Sequence, residues 1–130
     1  MPFDVGERFV GAAEHALGVQ FRSSCREAMK YSNGGTIDVV DHDWELYPIT
    51  DDSDRRRLAR TANDVLQETH RMRGSRKFPV NAVALGANGA GDALVLVGDD
   101  RQLGKAVFVW LHETGELVRI TDELADLTAT

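Results

Sequence analysis

The stretch FPVNAVALGANGAGDALVLVGDDRQLGKAVFVWLHETGELVRIT, residues 78–121, decides the fold. It holds strand-like runs at Val80 to Leu85, Ala93 to Val97, Ala106 to Leu111 and Leu117 to Ile120, separated by glycine-bearing turns at 87–92, 98–104 and 112–116. Connections this short cannot contain a crossover helix, so consecutive strands are expected to pair antiparallel as a meander. Leu94 to Val97 and Val107 to Leu111 are apolar at odd and even positions alike, whereas a strand wet on one face alternates. Both faces of these two strands are therefore expected to be covered.

The flanking segments supply the cover. Asp4 with Glu7 three residues later has the form of a capping box, and Val5, Phe9, Ala12, Ala13 and Ala16 then fall on one helical face. This predicts a helix over 5–17 stopped by a left-handed Gly18. A second helix is expected to start at Ser24, with Glu27 closing its capping box, Cys25, Ala28 and Met29 facing inward, and Asn33-Gly34-Gly35 ending it. Thr36 to Val40 and Trp44 to Tyr47 read as a hairpin around the polar turn Asp41-His42-Asp43. Leu58, Ala62, Val65, Leu66, Thr69 and Met72 recur at helical spacing and predict one amphipathic helix over about 53–73, while 122–127 predicts a short last helix. The result is an α+β fold, a largely antiparallel meander sheet with flanking helices, in one domain of residues 1–130.

At 130 residues the chain can bury about two thirds of the surface its unfolded form exposes. A lone cysteine, Cys25, permits no intrachain disulfide, and the opening Met1-Pro2-Phe3-Asp4 is not a secretory leader, so a cytoplasmic setting is expected. No apolar run approaches the roughly 20 residues of a membrane span. The net charge of −6 is uneven: residues 78–130 carry eight acids against three bases, and residues 51–77 carry five acids against eight bases. An acidic sheet region argues against a nucleic-acid partner there. Arg55, Arg56, Arg57 and Arg60 are interleaved with acids and lack an aromatic residue to stack on bases, which reads as a solvated helix face.

Three constellations bear on chemistry. Gly86, Gly89 and Gly91 join strand to strand, so the helix N-terminus that holds a pyrophosphate is missing and no cofactor is expected. Asp41, His42, Asp43, His112 and Glu113 offer metal ligands in two turns, the basis of an alternative reading as a small metal-dependent hydrolase; neither H-E-x-x-H nor paired cysteines support it. Asn88 and Asp92 flank a glycine turn, but without calcium-loop spacing they read as turn residues. Cys25 reads as a small core residue, and no enzymatic activity is expected.

The succession Leu17-Gly18-Val19-Gln20-Phe21-Arg22, Arg26-Glu27-Ala28-Met29-Lys30, Asn33-Gly34-Gly35, Trp44-Glu45-Leu46-Tyr47-Pro48, Gly89-Ala90-Gly91-Asp92 and Val107-Phe108-Val109-Trp110-Leu111-His112 resembles the Smi/Knr-type branch of the SUKH superfamily. The resemblance spans nearly the whole chain. It departs from the family pattern at Arg22, where proline is usual, and at Cys25, where an aromatic is usual. It implies a single α+β domain and a protein-binding role: an immunity protein that neutralises a cognate toxin, or else a regulatory interaction module without a toxin partner. Asp41, His42, Asp43, Asp92, Asp99, Asp100, Glu113 and Glu116, in the acidic turns, are then the expected docking surface, since acids steer a partner with a basic surface such as a nuclease.

Overall fold

The computed structural model describes residues 7–31, 36–39, 42–49, 64–75, 77–99 and 102–123. A six-stranded antiparallel sheet runs in sequence order: β1 (Thr36–Val39), β2 (His42–Leu46), β3 (Ala82–Ala87), β4 (Ala93–Asp99), β5 (Gln102–Trp110) and β6 (Leu117–Thr121). Helices α1 (Glu7–Leu17), α2 (Ser23–Tyr31) and α3 (Val65–Arg73) flank it.

The uninterrupted apolar character of β4 has the expected consequence: Ala93, Leu94, Val95 and Leu96 are all fully buried. Their side chains alternate between two cores, as the period of a strand requires. Leu94 and Leu96 join Val107, Val109, Trp44 and Leu46 against α1 and α2, where Val10, Leu17, Phe21 and Cys25 meet them. Ala93 and Val95 join Trp110, Phe78 and Met72 on the other side, with Phe108 packed against them.

Local chemistry sets the helix ends. Gly18 is left-handed at φ 72°, its N–H donates to His15 O and the Val19 N–H to Glu14 O, the paired bonds of a Schellman stop. Helix α2 begins at Ser23, one residue before the expected Ser24 cap, because Arg22 O already accepts the Arg26 N–H. A tertiary contact helps fix that entry: the Glu14 carboxylate on α1 accepts from the Phe21 N–H at 2.8 Å and from Arg26 Nε at 3.2 Å.

The single helix expected over 53–73 is corrected. Asp64 is extended, with φ −88° and ψ 171°, and its carboxylate accepts the Gln67 N–H at 2.8 Å, so it caps a helix that begins at Val65. Helical spacing on both sides of Asp64 concealed a residue better suited to a cap than to a helix interior. The arginines 55–57 and 60 lie outside the described residues; of the expected helix over 122–127, Asp122 and Glu123 are described and are not helical, and residues 124–127 lie outside.

Strand β2 leaves β3 early, pairing only Glu45 with Ala87 and Leu46 with Gly86 before the Tyr47 N–H reaches Leu85 O. The half of β3 that β2 leaves unpaired is buried and is served by α3 instead. Thr69 Oγ1, fully buried, accepts the Ala84 N–H at 2.9 Å, and Arg73 Nη2, one turn on, donates to Ala82 O at 3.3 Å. A helix side chain here takes over a ladder bond that a strand would otherwise make.

Candidate partner-binding end of the sheet

In a six-strand meander, connections alternate between the two ends of the sheet. The register Val39 to His42, Ala87 to Ala93 and Trp110 to Leu117 places the connections 40–41, 88–92 and 111–116 at one end. The register Asp99 to Gln102 places 100–101 at the other. The sequence-predicted acidic turns are thus divided: Asp92, Glu113 and Glu116 come together, while Asp99 begins the connection at the opposite end. Asp41 and Asp100 lie outside the described residues. His42 and Asp43 are strand residues of β2, opposite Val39 and Asp38, rather than turn residues. The hairpin connection is shorter than expected because two-residue loops suit the twist of paired strands.

Two turns at the first end are locked together through Asp92. Its Oδ1 accepts from the His112 backbone N–H at 3.1 Å and lies 2.8 Å from His112 Nδ1; its Oδ2 accepts from Asn88 Nδ2 at 3.3 Å. Asn88 Oδ1 in turn accepts the Ala90 N–H at 2.9 Å, an Asx-type turn. Partial burial pushes the Asp92 carboxyl up, but the bonds from the His112 ring, the His112 N–H and Asn88 outweigh it and hold the group below its usual value. Gly91, at φ 103°, is required twice over: its backbone is left-handed, and a Cβ there would stand 2.9 Å from His112 Nδ1. Glu113 and Glu116 are exposed, and Lys77 Nζ donates to the Glu113 carbonyl.

Between α3 and these turns lies a cleft of about 340 Å³ lined by Arg71, Met72, Ser75, Ala87, Gly89, Gly91, Asp92, Trp110 and His112. Trp110 forms part of its wall and is held by an Nε1 bond to Lys77 O at 3.0 Å and an edge-on contact with Phe78 at 5.1 Å. Arg71 donates from Nε and Nη2 to Glu68 Oε1, at 2.8 and 2.6 Å. The sequence reading missed this cleft because its walls come from α3, the β3–β4 turn and the end of β5, and no local pattern announces their meeting.

Among the described residues no three His, Cys, Asp or Glu side chains are grouped to hold a metal ion, and the His112 nitrogen proposed as a ligand faces Asp92. Nor does Ser75, though it lines the same cleft, hydrogen-bond His112. Cys25 is buried with its thiol pushed up to about 12, by desolvation first and by the nearby Glu14 carboxylate second, so it is held as the inert thiol.

The sequence model of the SMI1 / KNR4 family (SUKH-1) matches residues 7–129, which include every described element and both locked turns. The chain belongs to the SMI1 / KNR4 family. No curated protein sequence matches it. Membership of SUKH-1 places the chain among protein-interaction domains of immunity and regulatory type. Among the described residues of this SUKH-1 chain no helix is long and apolar enough to cross a membrane.

Proposed function

We propose that this chain, acting as one domain of residues 1–130 in the cytoplasm, is a non-enzymatic immunity protein that binds and neutralises a cognate toxin with a basic surface. The observation that carries the reading is the display of Asp92, Glu113 and Glu116 on two adjoining turns at one end of a SUKH-1 sheet whose middle strands are buried on both faces. A filled sheet leaves recognition to its loops. Acidic loops raise the encounter rate with a cationic surface, and a nuclease groove is cationic because it must hold phosphate.

The docking surface is this end of the sheet, where His42 and Asp43 open β2, and it extends to Asp41, which precedes them in the sequence. Asp99 ends β4 at the opposite end of the sheet, so it and its sequence neighbour Asp100 are left out of this surface. The test is stoichiometric neutralisation: the protein product of the neighbouring gene, produced and purified with this chain, loses its toxic activity at one equivalent and regains it when the complex is dissociated. A bound neighbour with no toxic activity overturns the immunity reading in favour of a regulatory interaction module.

A further inference from the structure

The cleft beside Trp110 has a hydrogen-bonding character that selects its occupant, and we propose that it seats one arginine side chain of the docking partner. The inference rests on the docking end assigned above and adds the residue that enters it. Its walls are apolar at Met72, Ala87 and Trp110, surface on which an aliphatic stem can lie. The lining polar groups are left mainly with acceptors. Arg71 has spent Nε and Nη2 on Glu68, which also balances its charge. His112 Nδ1 lies 2.8 Å from Asp92 Oδ1, and the neutral imidazole that donates there leaves Nε2 as an acceptor. Asp92 Oδ2 receives one bond, from Asn88, and retains capacity for another, and the Ser75 hydroxyl accepts as well.

Of the charged side chains that line the cleft among the described residues, Arg71 is paired with Glu68, while Asp92 brings a carboxylate into the lining; Glu113 and Glu116 lie exposed in the neighbouring β5–β6 turn. A partner carboxylate would meet acceptors and like charge. A guanidinium brings five donors in a fixed plane and no acceptor, which fits dispersed acceptors better than the single point of an ammonium.

The test titrates uniformly labelled protein with N-acetyl-arginine-amide, N-acetyl-lysine-amide and N-acetyl-glutamate-amide, following the Gly89, Gly91 and His112 amides and the Trp110 indole N–H. The arginine amide is expected to give saturable shifts at these four probes, tighter than the lysine amide, with none from the glutamate amide. Asp92→Asn should weaken binding roughly tenfold, the loss of a charge-assisted bond. Ser75→Phe, which fills the cleft and leaves the Asp92–His112 lock in place, should abolish the shifts, and Asp122→Asn, remote from the cleft, should leave them. Equal or stronger shifts from the glutamate amide, or no saturable arginine response, overturn the proposal. Association of the purified partner separates the two readings. If Glu113→Lys with Glu116→Lys slows it and Ser75→Phe does not, the docking end stands and the arginine seat falls; if neither matters, the docking end itself is wrong.

Discussion

At the residue scale the cores are held by a few well-placed side chains. Trp110, 4% exposed, combines apolar burial with an indole bond to Lys77 O, so Trp110→Ala should cost about 3–5 kcal/mol in a urea melt. Its place in a doubly covered strand, beside Phe108, was legible from the run Val107 to Leu111. Trp44 is harder to read, because the polar residues before it suit an edge strand; it is 2% exposed, since β1 pairs outside it and the larger core lies beneath. Acrylamide should therefore quench single-tryptophan variants weakly at both positions, and strong quenching of Trp44 would contradict the packing. Cys25 gives a pH prediction of definite sign. Its thiol keeps its proton in the folded state up to about pH 12, whereas in the unfolded chain it loses it near the ordinary value of 9.0. The stabilisation is fully present below pH 9 and is lost as pH rises from there towards 12. Replacement by Ala should flatten that alkaline decline in chemical melts taken across the interval.

Among the elements, those that repeat along the chain were the readable ones. Four strands and their antiparallel order followed from glycine turns and apolar runs, although β3 starts at Ala82 and leaves Val80 87% exposed. The connection expected over 98–104 contracts to 100–101 because Gly98 lies in the ladder where β4 and β5 come close: a Cβ there would be 2.7 Å from Gln102 O. The start of α3 at the Asp64 cap and the service of β3 by Thr69 were hidden. Each depends on where β2 leaves the sheet, which is a tertiary fact. Thr69→Val keeps shape but leaves the buried Ala84 N–H without an acceptor, and should cost about 1–3 kcal/mol, whereas Thr69→Ser should retain most of the stability. Hydrogen exchange at Ala84 reads the same bond directly. If Thr69→Val neither destabilises the protein nor speeds that exchange, α3 is not completing the sheet.

Across the whole molecule, the meander is what turns scattered acidic turns into a surface. Composition showed an acidic protein and the motif succession showed its family, but only strand order shows which connections share an end of the sheet. Asp92 acquires a second task there, tying the 88–92 and 111–116 turns through Asn88 and His112, so Asp92→Asn should loosen both turns as well as remove charge. Glu113 and Glu116, exposed and free of that lock, report on steering alone. The decisive measurement is the association rate of the purified partner with two charge-reversed proteins, at low and at high salt. Glu113→Lys with Glu116→Lys should slow association by about tenfold or more at low salt and flatten its salt dependence, while Asp99→Lys with Asp100→Lys leaves both close to those of the unaltered protein. Slowing in the second variant alone would put the partner at the opposite end of the sheet and contradict the account.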